Sequence, residues 1–190
     1  MKRLFTLATA WSGGDFELDI FWKNACETSV KGALVALWDY PALDGCWLKE
    51  NVEPAGQPRV SADWNSESVP TLYGVATLPD KTQCACRSTI VNDNGGSWLN
   101  LGLPLGSLSQ FYPVGGYPFE KADVSWINPL SEWLAEIARS IFAKYPFDCG
   151  TVGFEVCGET VCESEIPKER SCGFLRNEKG KLIWYPPTSY

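Results

Sequence analysis

Five carboxylates, Asp148, Glu155, Glu159, Glu163 and Glu165, fall within eighteen residues that contain no Lys or Arg. A carboxylate pair can hydrolyse glycosides when one member is kept protonated inside a cleft. On an exposed hairpin the same groups are solvated and ionised, and their use is electrostatic. The other reactive groups are eight cysteines: Cys26, Cys46, Cys84, Cys86, Cys149, Cys157, Cys162 and Cys172. A nucleophilic thiol needs a base or cation beside it, and Cys86-Arg87 is the local pairing of that kind. A four-cysteine zinc site shows two C-x₂₋₄-C pairs. The closest spacings here are Cys84-x-Cys86 and Cys157-x₄-Cys162, so no metal is expected.

The chain has no histidine. Histidine is the side chain whose ordinary pKa lies nearest neutrality and the commonest metal ligand. Its absence excludes a Ser-His-Asp triad, a Cys-His dyad and a His-ligated zinc. There is no G-x-x-x-x-G-K-[ST], and no G-x-G-x-x-G follows a strand. Gly102-x-x-x-Gly106 and Val114-Gly115-Gly116 lack that setting and make turns. No catalytic residue and no cofactor are therefore expected.

The elements that would position any such site follow from periodicity. Leu4–Thr9 predicts a first strand, and Trp11-Ser12-Gly13-Gly14-Asp15 a turn. In Asp15–Trp22, Phe16, Leu18, Ile20 and Trp22 share one face and Asp15, Glu17 and Asp19 the other. Period two with acids outward predicts a half-buried antiparallel strand. Gly32–Trp38 is an apolar run read as a third strand, with more strands at Thr71–Leu78, Gln83–Val91 and Ser97–Leu103. The last two join through Asn92-Asp93-Asn94-Gly95-Gly96, a turn signal because Asn and Gly tolerate positive φ. Leu105–Tyr112 predicts a short helical turn. Thr151–Cys157 and Thr160–Ile166 are expected to pair through Gly158-Glu159. Gly173–Arg176 and Lys181–Tyr185 form a closing hairpin around Asn177-Glu178-Lys179-Gly180.

The clearest element is a helix over about 129–144. Asn128 can cap it, and Pro129 sits where a missing N–H is tolerated. Leu130, Trp133, Leu134, Ile137, Ile141 and Phe142 recur at spacings of three and four, the stripe of a helix packed on a sheet. The expectation is a single α+β domain spanning 1–190, a mostly antiparallel sheet with this amphipathic helix across one face.

Residues 39–69 differ from the rest. Pro41, Pro54, Gly56 and Pro58 break regular structure, and Asp39, Asp44, Glu50, Glu53, Asp63 and Glu67 face only Lys49 and Arg59. Trp47 and Trp64 lie within the stretch. A long loop of this kind is either functional or a packed connector whose tryptophans fill the core.

The formal charge of −7 and pI near 4.7 disfavour nucleic acid, whose phosphates an acidic surface repels. They suit a basic partner. No apolar run reaches the roughly 18 residues of a membrane span, so no membrane contact is expected. With no recognisable export signal, a cytoplasmic location with reduced thiols follows, buried cysteines acting as small hydrophobes.

Trp98-Leu99-Asn100-Leu101-Gly102-Leu103-Pro104 leads into Gly106-Ser107-Leu108 and Tyr112-Pro113-Val114-Gly115-Gly116-Tyr117-Pro118-Phe119. Trp133-Leu134-Ala135-Glu136-Ile137-Ala138 and Pro146-Phe147…Val152-Gly153-Phe154-Glu155 follow. Over 97–157 this order resembles bacterial immunity proteins of polymorphic, secreted toxin systems. The resemblance implies a cytoplasmic α+β domain without catalysis that binds and blocks a cognate toxin. A toxin with a basic substrate groove would suit the acidic surface. Contact residues would lie on loops, first among Asp39, Asp44, Trp47, Glu50, Glu53, Asp63, Trp64 and Glu67, then among Glu155, Glu159, Glu163 and Glu165. The rival classes are a small carboxylate- or cysteine-dependent hydrolase and a secretion- or phage-associated structural subunit.

Overall fold

The computed structural model describes residues 3–24, 26–64, 70–93, 95–114, 125–157, 162 and 165–189. The chain is α+β, built on one eight-stranded sheet in the order β2-β3-β4-β5-β1-β6-β7-β8. The strands are β1 (Asp15–Trp22), β2 (Leu43–Trp47), β3 (Leu72–Thr77), β4 (Gln83–Asp93), β5 (Gly96–Pro104), β6 (Cys149–Phe154), β7 (Gly173–Glu178) and β8 (Lys181–Tyr185). Every neighbouring pair is antiparallel. The helices are α1 (Glu27–Trp38), α2 (Leu105–Leu108) and α3 (Ile127–Phe142), with a 3₁₀ turn at Pro54–Gly56.

β1 lies at the centre, with Phe16, Leu18, Ile20 and Trp22 turned into the main core. Leu99, Leu101 and Leu103 of β5 and Val152 of β6 join them, and α1 and α3 close this face. In α3, Leu130, Trp133, Leu134, Ile137, Ala138 and Ile141 are buried, as the stripe predicts. The helix starts earlier than expected, with Trp126 at the N-cap and no side-chain cap bond. Pro129 still lies in the first turn, where its missing N–H breaks no helical bond. Leu134 and Ile137 are both 0% exposed. Leu134→Asp or Ile137→Asp should cost more than about 4 kcal/mol, the range of an unpaired buried charge, and abolish the cooperative thermal transition seen by circular dichroism. A variant that melts like the wild type would displace the helix from the core.

Gly32–Trp38 is helix, not strand. The run carries both the strand formers Val35 and Trp38 and a helix's Ala and Leu, so periodicity within it does not decide. Its N-terminal extension does: Glu27 pairs with Lys31 at 2.6 Å, one turn apart. Val30, Ala33, Leu34, Leu37 and Trp38 then make one buried face. The Trp38 ring lies against Gly45 of β2 and Gly74 of β3, where any Cβ would strike it, and its Nε1 donates to Ser88 Oγ at 2.9 Å. The breaker-rich 39–69 stretch thus holds an edge strand, β2, which the glycine and acid content had concealed.

Leu4–Thr9 is not a strand either. It forms turns, and Leu4 and Phe5 pack with Trp47, Val75 and Ala85 in a second, smaller core on the opposite face. Trp11 and Tyr73 border it, with Phe5–Trp11 and Trp11–Tyr73 centroids both 5.1 Å apart. The partner of β6 is β7, not a strand at Thr160–Ile166. The described part of that span has no strand, and Thr160, Val161, Glu163 and Ser164 lie outside the described residues. The cysteines are not all thiols: Cys149 and Cys162 form a disulfide. It ties the β6–β7 connection to β6. Cys46, Cys84 and Cys86 are buried as the small hydrophobes expected.

Candidate functional site

The acids of β1 overturn a local reading. Asp15 is 8% exposed, Glu17 4% and Asp19 0%, so the face expected to be wet is covered. The residues 3–14 flank it on one side, where Leu105 N–H donates to Gly14 O and Gly106 N–H to Ser12 O. On the other side the chain leaving β6 turns back, with Glu155 N–H donating to Asp15 O. Three carboxylates therefore stand in a row between two covering segments.

Each is held differently. Arg87 reaches from β4 and donates to Asp15 Oδ2 through Nε at 2.8 Å and Nη2 at 2.7 Å. Gly102 of β5 lies between them, and a Cβ there would come within 2.6 Å of Oδ2. Asp15 Oδ1 is buried without a hydrogen-bond donor among the described residues. Burial pushes the Asp15 carboxyl above its ordinary value, against the lowering pull of Arg87. Glu17 accepts from Cys157 N–H at 2.7 Å and from Asn100 Nδ2 at 2.7 Å. Burial nevertheless raises it to about 7, with the Asp15 and Asp19 charges adding to the rise. A buried carboxylate loses hydration that two neutral donors replace only in part.

Cys157 is exposed as a residue, but its thiol hydrogen-bonds Asp19. Burial, then the Asp19 and Glu17 charges, push it to about 12. It is held as a thiol and is a poor nucleophile at neutral pH. Cys26 is the opposite case. Hydrogen bonds with Ser29 and Thr28 at the start of α1 bring it down to about 7, and it is exposed. No base or cation among the described residues is bonded to it. Among the described residues, no group of three or more Cys, Asp or Glu is placed to hold a metal ion.

The acids expected to meet a partner are distributed around α1, β2 and the loop that follows. Asp39 caps the end of α1, Asp44 projects from β2 and Glu50 follows it, and all three are exposed. Asp44 pairs with Arg59, whose guanidinium stacks 5.4 Å from the Trp47 ring centroid. Leu48, between Trp47 and Glu50, is 42% exposed. Asp63 is exposed and lines a shallow cleft with Glu27, Lys31 and Tyr145 near the other end of α1. Trp64 is half-buried. Glu155 and Glu165 are exposed, and Glu67, Glu159 and Glu163 lie outside the described residues.

Comparison with protein-family models, with curated proteins and with solved structures found no match. The geometry alone carries the assignment of roles. Trp47 is 6% exposed and packs in the small core, 5.9 Å from Phe5. Glu53 collects the Leu4, Phe5 and Thr6 N–H groups at 3.2, 3.1 and 2.8 Å. Burial works against the Glu53 charge, but these donors outweigh it and hold the carboxyl below its ordinary value. Both residues therefore do structural work in the covering layer. Glu53→Ala should strip three amides of their acceptor, speed hydrogen exchange at Leu4–Thr6 at least tenfold and cost about 1–3 kcal/mol. Unchanged exchange would mean that the aromatic packing alone holds the segment.

Asp15, Glu17, Asp19, Arg87, Asn100 and Cys157 form the convergent polar cluster that sequence reasoning missed. Alternation placed the three acids together. Their cover comes from the adjoining residues 3–14 and from the segment leaving β6, which is remote in the chain.

Proposed function

We propose that the protein is an immunity protein that neutralises a cognate bacterial toxin by direct binding. The observation that carries the reading is the exposed acidic surface around β2. Asp39, Asp44 and Glu50 project there, with Leu48 exposed among them. Acids around an exposed apolar residue suit a partner with a basic surface and speed its approach. Toxins that cleave nucleic acid have such a surface, because they must bind phosphates. No helix among the described residues is long and apolar enough to cross a membrane, which fits a partner met in solution. The Cys149–Cys162 disulfide favours an oxidising compartment, and intact mass of protein alkylated in cell extract bears directly on location.

The hydrolase reading draws on one feature, a Glu17 carboxyl that burial raises to about 7, the range a general acid needs. Its two oxygens are already taken by Cys157 N–H and Asn100, and the residue is 4% exposed. That is the geometry of a structural carboxylate.

Co-expression tests the proposal. The chain should rescue cells from the toxin encoded beside its gene. Asp39→Lys, Asp44→Lys and Glu50→Lys together should weaken capture of that toxin at least tenfold, since rim charges act mainly on association. Absence of a toxin gene and of rescue would refute the reading. Rescue that survives the triple charge reversal would move the interface off this surface.

A further inference from the structure

The two edges of the sheet are treated differently. At β2, Val60 N–H donates to Cys46 O at 2.9 Å and Arg59 pairs with Asp44, so the 57–62 stretch covers that edge. At β8, no described residue bonds to the outward backbone. β8 reads Lys-Leu-Ile-Trp-Tyr, and Leu182–Tyr185 are all half-buried. An open apolar edge is a template for another strand, and proteins that keep one monomeric protect it with charge, proline or a bulge. Here Pro186 and Pro187 follow the strand and none lies within it.

The hairpin register states which groups are free. Lys179 and Gly180 have φ of 54° and 82°, a two-residue turn that makes Glu178 and Lys181 a hydrogen-bonded pair. Pairing then alternates, so Arg176–Ile183 and Phe174–Tyr185 are bonded and Asn177–Leu182 and Leu175–Trp184 are not. The direction of Asn177 agrees, since its N–H goes the other way, to Asp148 O at 3.0 Å. The N–H and C=O groups of Leu182 and Trp184 therefore point away from the sheet.

We infer that β8 is the interface of a homodimer, in which two copies join edge to edge, antiparallel, about a two-fold axis at Ile183. In that register Leu182 exchanges both bonds with Trp184 of the second copy, and symmetry repeats the pair, for four backbone bonds in all. Pro186, with no N–H, ends the ladder. Ile183 meets its own copy as a non-bonded pair, the closer of the two antiparallel spacings. Leu182 lies against Trp184 of the other chain, and Lys181 against Tyr185. The Tyr185 hydroxyl donates to Glu178 Oε1 at 2.5 Å, so the incoming Lys181 ammonium finds both an aromatic face and a carboxylate. The strand is thus complementary to itself in shape and charge, which selects a second copy over an unrelated strand. The interface is independent of the acidic surface at the β2 edge and holds whether or not a toxin is bound.

Sedimentation velocity of the full chain decides the matter. The mass should rise from 21.0 kDa toward twice that value as concentration increases to roughly 0.2 mM, which populates a dimer of micromolar Kd. Ile183→Lys sets like charges on the axis, and Leu182→Pro removes an outward donor without touching the β7 ladder. Each should raise the dimer Kd at least tenfold, Ile183→Lys with the melting temperature preserved and Leu182→Pro with a modest loss, because Leu182 also packs against the main core. Lys181→Glu should weaken the dimer, and Lys181→Glu with Glu178→Lys should restore it. A mass fixed at 21.0 kDa over the whole range overturns the inference, as does a dimer that Ile183→Lys leaves intact.

Discussion

Replacing Glu17 with glutamine should raise the melting temperature at pH 8 and leave it nearly unchanged at pH 4. Burial raises this carboxyl from an ordinary 4.5 to about 7 in the folded chain. The folded state therefore binds the proton more tightly than the unfolded state does. Below pH 4.5 both states are largely protonated and the group's stabilising contribution is fully present. As pH rises from 4.5 to 7 the unfolded state ionises first, and that contribution is lost. Above 7 the folded chain carries a buried charge beside Asp15 and Asp19. At 1.36 kcal/mol per pH unit, the gap corresponds to roughly 3 kcal/mol. Glutamine keeps an acceptor for Cys157 N–H, and Asn100 can turn its amide to present oxygen. The wild type should thus lose stability across pH 4.5–7 while the variant does not. For a chain of this size the gain at pH 8 is roughly 6–12 °C. Calorimetry at both pH values checks it, and a variant less stable than wild type at pH 8 would show that the Glu17 charge is a net stabiliser.

Arg87→Leu should do the reverse, destabilising the chain by about 2–3 kcal/mol in urea at pH 7. The figure sits below the 3–5 kcal/mol of a fully buried pair, because the Arg87 side chain is 33% exposed and solvent screens it. Its guanidinium is the cation bonded to Asp15, and both contacts converge on one oxygen. Removing it leaves a carboxylate in a covered site whose other oxygen already has no donor among the described residues. The loss should shrink as the solution is acidified and Asp15, already raised by burial, takes up a proton. Asp15→Asn with Arg87→Leu should recover most of it, since no charge is then left unpaired. A double variant no better than the sum of the two singles would mean that Arg87 acts through packing.

Much of the sheet is legible in the residues. The β4–β5 and β7–β8 hairpins follow from Asn92–Gly96 and Asn177–Gly180, where local φ preferences decide, and α3 follows from a six-residue stripe. α1 was not, because an apolar run of seven residues fits a strand as well as a buried helix. The ladder shows a subtler limit. Period two sorts Asp15, Glu17 and Asp19 from Phe16, Leu18 and Ile20, but it does not say which face meets water. That answer depends on Arg87, Asn100 and Cys157, all remote in sequence. Of the predicted contact residues, the exposure of Asp39, Asp44 and Glu50 agrees with their chemistry. Trp47 and Glu53 are absorbed into the covering layer, because an N-terminal segment read as a strand instead folds over them.

The central place of β1 has a kinetic consequence. It is the first strand in the chain, yet its neighbours come from residues 97–104 and 149–154. Closing such long loops is slow, so β1 stays unpaired until most of the chain is available. Its acids are then in water with ordinary affinities for protons. When β5 and β6 close on them, Glu17 moves into a site where its affinity is far higher. Near neutral pH, folding of the chain therefore takes up protons from solution at this site.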